Sequence, residues 1–137
     1  MRIFTFSLFL FLGINAFSQN LKDSINWLSI EDVGDKFAEV QKPVMFYFYK
    51  QNCDSCREQE KTTFSNPEVA NYINILFYPV KIDAETKDSL MFFDGKYYHN
   101  SKETGKTHDL VNKLAEGDTF PSIVLFSRQA SGRAFNG

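Results

Sequence analysis

Two cysteines, Cys53 and Cys56, stand in one four-residue motif, Cys53-Asp54-Ser55-Cys56, behind the apolar run Val44-Met45-Phe46-Tyr47-Phe48-Tyr49. A strand that turns into a helix at such a motif delivers two thiols to the helix N-terminus, where partial positive charge favours a thiolate. That arrangement suits disulfide exchange. A structural staple is a weaker reading, because the entropy a bridge removes from the unfolded chain grows with loop length and two intervening residues gain little. Zinc would need two more ligands, and the two histidines, His99 and His108, have eight residues between them where a finger has three to five. The expectation is a redox dithiol with no bound metal and no cofactor.

The compartment is read from the first residues. Arg2 precedes the largely apolar run Ile3 to Leu12, and Ala16-Phe17-Ser18 supplies small residues before a cut. This is the pattern of a secretory signal peptide, with cleavage expected after Ser18. Its apolar core falls short of the about 20 residues of a membrane helix, and a retained N-terminal anchor is the alternative. No cysteine follows the apolar stretch until Cys53, which argues against lipid attachment at the cut. The protein is expected to be periplasmic or secreted, where oxidising surroundings make disulfide chemistry relevant.

Residues 19–137 have the length of one domain. Net charge is −2 with no basic cluster, which excludes a phosphate backbone as partner. The aromatic share is high at 16%, but strand-like runs and the leader hold many of these residues, so core packing accounts for most of them.

The elements that must position the motif follow from periodicity. Ile25 to Ser29 could form a short strand, and Ile30, Val33, Phe37 and Val40 recur at helical spacing, with Lys42-Pro43 ending that helix. Val44 to Tyr49 reads as a strand buried on both faces. The helix begun near Cys53 should run to about Thr62. Asn66-Pro67-Glu68 then restarts it as N-cap, first position and first-turn acid, with Val69, Tyr72 and Ile73 inward. Ile75 to Ile82 returns as a strand parallel to the first, and Pro79 marks an edge or bulge.

Residues 84–107 are polar apart from Leu90-Met91-Phe92-Phe93 and Lys96-Tyr97-Tyr98, and Asp94-Gly95 between them signals a hairpin. This insertion reads first as a solvated decoration and second as a partner-recognition element. Thr107 can cap a helix with Leu110, Val111 and Leu114 inward and Gly117 at its end, leaving His108 at the surface. Thr119-Phe120-Pro121-Ser122 then leads into the strand Ile123 to Phe126, and a proline at that point suggests a cis X-Pro turn.

Taken together, the motif, its helix and Pro121 resemble the thioredoxin-fold family. The stretch Cys53 to Pro67 is most similar to the C-terminal periplasmic domain of bacterial thiol:disulfide interchange proteins and related exported proteins. The resemblance spans about Lys22 to Phe126. It implies a three-layer α/β/α fold with a central mixed sheet, here carrying an inserted hairpin. It also implies that Cys53 attacks a partner disulfide and Cys56 resolves the mixed disulfide. Phe120 and Pro121 would hold the partner chain, while Asp54 and Ser55 tune the potential. Asp54 beside Cys53 should disfavour the thiolate, which points to a reductant.

Three positions depart from the family pattern. Asn52 stands where thioredoxins carry Trp, and Tyr47 stands where they bury a proton-accepting Asp, so Glu58 or water becomes the candidate for handling the proton. Ser127 to Gly137 suffices for a turn and a few residues, so the last strand and closing helix are expected to be missing, one sheet face partly bare and the domain C-terminally incomplete. The function implied is an exported thiol:disulfide oxidoreductase acting on protein disulfides or dithiols, with a membrane protein as the electron donor the resemblance suggests. The alternative is a non-catalytic binding module with a closed structural bridge.

Overall fold

A strand of six apolar and aromatic residues needs apolar cover on both faces, and β1 (Val44–Tyr49) has it. The structure, a computed structural model, describes residues 24–93, 95–99, 105–115, 117–128 and 134–136. The expected signal segment 1–18 and the turn residue Asp94 lie outside the described residues. Val44, Phe46 and Phe48 enter one apolar cluster and Met45 and Tyr47 the other, as the two-residue period of a strand requires. β1 pairs in parallel with β2 (Tyr78–Asp83) and antiparallel with β5 (Ser122–Arg128), which pairs antiparallel with β6 (Ala134–Asn136). The order β2-β1-β5-β6 makes a central mixed sheet between two helical layers. A last strand is therefore formed where only a turn and a few residues were expected.

One face is covered by α1 (Ile30–Glu39), α4 (Asp109–Leu114) and the hairpin β3 (Leu90–Phe92) and β4 (Gly95–Tyr97). Ser29 caps α1, its Oγ accepting the Asp32 N–H at 3.1 Å, and Ile30, Val33 and Phe37 pack inward. Val40 does not join them. It is the extended C-cap residue and 54% exposed, so the helix stops before Lys42-Pro43.

The insertion is not a solvated decoration. Phe92 is buried in the main core, with its ring edge-on to Phe46 at 5.2 Å and to Phe126 at 5.2 Å. Nor does Thr107 cap α4. The cap is His108, fully buried rather than at the surface, with Nδ1 accepting the Leu110 N–H at 3.2 Å and Nε2 3.0 Å from the Asp88 carbonyl oxygen. An imidazole that accepts at one nitrogen and donates at the other is neutral, and burial lowers the His108 pKa below its ordinary value. Thr107 is itself buried, its Oγ1 3.3 Å from Asp118 Oδ1.

The opposite face carries α2 (Asp54–Gln59), a π-helical turn (Glu60–Phe64) that continues it, and α3 (Pro67–Leu76). Asn66 caps α3 as the sequence predicts, its Oδ1 accepting the Glu68 N–H at 2.9 Å. Ala70 and Ile73 are the buried residues of α3, Val69 is half-buried, and Tyr72 points outward at 60% exposure. Ile75 and Leu76 complete α3 instead of opening β2, which starts at Tyr78 after the extended residue Phe77. β2 is an edge strand of the four-stranded sheet, as Pro79 foretold. Of the expected strand Ile25 to Ser29 a single parallel bridge remains, Leu28 to Val80, with the Leu28 N–H on the Pro79 carbonyl at 2.8 Å. On this face Ile123 and Leu125, registered with Tyr47 and Met45, are nearly half exposed. Among the described residues no helix is long and apolar enough to cross a membrane.

Candidate redox site

β1 ends at Tyr49, and Lys50-Gln51-Asn52 carry the chain to Cys53, the extended N-cap residue of α2. Its carbonyl accepts the Arg57 N–H at 3.1 Å, the first bond of the helix, and its Sγ accepts the Cys56 N–H at 3.1 Å. The side chain that caps the helix is thus a sulfur. Cys53 and Cys56 are joined as a disulfide, with Cys53 half-buried and Cys56 1% exposed. The two sulfurs are unequal in access, and only the first is open to an approaching partner.

The loop before β5, the strand paired directly with β1, meets this cap. The Phe120–Pro121 bond is cis, and the Phe120 carbonyl oxygen lies 3.8 Å from Cys53 Sγ. Ser55 Oγ stands between them, 3.4 Å from Cys53 Sγ and 3.4 Å from the Phe120 oxygen. The Lys50 ammonium lies over the Phe120 ring, 4.6 Å from its centre, and 3.6 Å from Glu85 Oε1. Ser55 and Phe120, both singled out in the sequence, are therefore gathered at the partly open Cys53 sulfur, with Pro121 joined to Phe120 through the cis bond.

Asp54 and Glu58 lie elsewhere. Asp54 is exposed and ion-paired with Arg57, which also donates to the Gln51 carbonyl at 3.1 Å. Glu58 is exposed, and its backbone carbonyl accepts the Thr62 hydroxyl at 2.7 Å. Beneath the bridge a different acid is in place. The Tyr47 hydroxyl is 3.2 Å from the Cys56 carbonyl oxygen and 3.3 Å from Glu60 Oε1, and Glu60 Oε2 accepts from Lys81 at 2.8 Å. Burial, then the Glu60 carboxylate, push the Tyr47 pKa upward, so the phenol keeps its proton. Trp27 and Phe64 pack on the Tyr47 ring at 5.8 and 4.8 Å.

Sequence reasoning missed Glu60. The signal was its spacing: four residues after Cys56 it shares the helix face of the buried cysteine, whereas Glu58, two residues after, does not. Among the described residues no group of three or more His, Cys, Asp or Glu side chains is arranged to hold a metal ion.

A family model described as a thioredoxin-like domain matches residues 31–137. The thiol:disulfide interchange protein DsbD of Pectobacterium atrosepticum is 33% identical over 56% of this chain, and the match spans 16% of that protein's length. Two solved structures share the fold at a TM-score of 0.58 each. The DsbH oxidoreductase is 16% identical and covers 83% of this chain and 72% of its own. A thioredoxin from Thermus thermophilus is 17% identical, with 82% and 72% covered.

Proposed function

The chain belongs to the thioredoxin-like domain family, and from that premise we propose that it is an exported thiol:disulfide oxidoreductase working through Cys53 and Cys56. The observation that carries this reading is the position of Cys53 Sγ, which caps α2, accepts the Cys56 N–H at 3.1 Å and faces the Phe120 carbonyl. A backbone N–H directed at that sulfur stabilises negative charge on it once the bridge is reduced.

The Cys53 thiolate attacks one sulfur of a partner disulfide, forming the mixed disulfide and expelling the partner's other sulfur as a thiolate that takes up a proton. Deprotonated Cys56 then attacks Cys53 Sγ, closing the bridge and releasing the partner's second thiolate. The dithiol loses two electrons and the partner disulfide gains them. Phe120 and Pro121 hold the partner chain against Cys53. Glu60, linked to the Cys56 backbone through the Tyr47 hydroxyl, is the carboxylate that acts as base and receives the Cys56 proton, directly or through water. Asp54 beside Cys53 disfavours its thiolate, an effect that the exposed and solvent-screened ion pair with Arg57 lessens without removing, so the direction proposed is reduction of protein disulfides, with electrons supplied by a membrane donor. A potential near about −120 mV, that of a strong oxidase, would overturn that direction.

The test is turnover of a model disulfide by the wild type and its loss in Cys53→Ser. Persistent inactivity of the reduced wild type would instead support a binding module with a closed bridge. Covalent capture by Cys56→Ser, which stalls at the mixed disulfide, identifies the partner.

A further inference from the structure

The Ser55 hydroxyl has one proton and two acceptors at the same distance, Cys53 Sγ at 3.4 Å and the Phe120 carbonyl oxygen at 3.4 Å. For an O–H···O bond this separation is long, so the contact with the carbonyl is weak in the bridged form. A disulfide sulfur is a weak acceptor, and the carbonyl holds the proton. After reduction Cys53 can ionise, and a bond to a charged acceptor is roughly twice as strong as one to a neutral acceptor.

We propose that Ser55 is a redox-dependent positioning residue: its hydroxyl turns from the Phe120 carbonyl to the Cys53 thiolate on reduction, freeing that carbonyl to accept an N–H from an extended partner chain. The reading rests on the dithiol function proposed above and adds an order of events to it. The reduced protein exposes a backbone acceptor beside a stabilised nucleophile, so a disulfide partner is gripped. Once Cys53 enters a disulfide, first with the partner and then with Cys56, the hydroxyl is released to the carbonyl and competes with the partner's N–H, which favours release of the reduced product. No electrons or protons leave the protein in this step, since a hydrogen bond only changes acceptor.

The experiment compares wild type with Ser55→Ala and Ser55→Thr. The first readout is the chemical shift of the Phe120 carbonyl carbon in the oxidised and reduced states. It should change on reduction in the wild type and in Ser55→Thr, and change much less in Ser55→Ala. The second is the thiolate absorbance of the reduced protein. At neutral pH the thiolate fraction should fall about five-fold in Ser55→Ala, the ratio corresponding to a net hydrogen bond of about 1 kcal/mol, and recover in Ser55→Thr. The third is binding of an unreactive peptide whose cysteines are serines: the wild type should prefer its reduced form and Ser55→Ala should bind equally in both.

A Phe120 shift that ignores redox state in the wild type overturns the proposal, as does a thiolate fraction unchanged in Ser55→Ala. Neither readout uses turnover. If the wild type turns over disulfides while both readouts fail, the switch is wrong and the function stands; if both hold without turnover, the converse is true.

Discussion

The two faces of the sheet are built on different principles although β1 serves both. Toward α1, α4 and the hairpin, its side chains Val44, Phe46 and Phe48 meet a packed apolar cluster that includes Phe92, Leu110 and Val111. Toward α2 and α3, the same strand presents Tyr47, whose ring is packed by Trp27 and Phe64 while its hydroxyl joins the Cys56 carbonyl and the Glu60–Lys81 pair. The first face stores stability. The second admits polar groups under the disulfide and satisfies them with one another, which a buried polar network requires. Chemistry and cohesion are thus separated across one strand, so damage to each should be measurable apart from the other.

The largest expected effect breaks the cohesive face. Phe92→Ala empties the place of a ring that touches both Phe46 and Phe126 and should cost about 3 kcal/mol of stability or more. Denaturant unfolding measures the loss, and the thiolate titration of the folded fraction should stay as it was. A Phe92→Ala protein of unchanged stability would return the hairpin to the status of a decoration.

On the other face, Glu60→Gln should slow resolution of the mixed disulfide by roughly 100-fold, the low end of what general acid–base catalysis supplies. Its unfolding free energy should change by no more than about 1 kcal/mol, because the ion pair with Lys81 is partly exposed. Single-turnover kinetics across pH reads the first and denaturant melts the second.

A smaller effect concerns His108, on the cohesive face. Its pKa is lowered by burial, with the Asp88 carbonyl and Asp109 opposing and His99 reinforcing the shift. The unfolded chain therefore binds a proton more readily than the folded one, so stability is full above about pH 6.5 and declines as the pH falls below it. Protonation would also break the Nδ1 cap on Leu110. Unfolding curves at several pH values should show that decline, and His108→Asn should flatten it.

The smallest effect is expected from Glu58→Gln, whose side chain is exposed and away from the bridge. Resolution kinetics should match the wild type, and a slowed variant would move the proton-handling role from Glu60 to Glu58.

Features coded by neighbours in the chain were legible. The β1 run, the Asn66-Pro67 helix start, the hairpin around Gly95 and the cysteine pair ahead of a helix each depend on a few adjacent residues, and each is found at the expected place. Misreadings arose where two local options were close in energy and a distant contact decided. Thr107 and His108 can both cap a helix, and the Asp88 carbonyl selects His108 by engaging its second nitrogen. Tyr72 could face inward by type, but Ala70 and Ile73 are the residues α3 buries. Glu58 and Glu60 look alike on paper until Tyr47 and Lys81 converge on one of them.

The sequence by itself determined the cysteine pair, its place at a helix start and the strand that carries it, because spacing along the chain sets those relations. Only the tertiary structure decided what surrounds the pair: the Phe120 carbonyl and Ser55 hydroxyl at the open sulfur, and Glu60 beneath the buried one. Phe120 stands 67 positions from Cys53 and Lys81 21 positions from Glu60. Contacts at such separations form when the sheet registers its strands, and no local propensity encodes them.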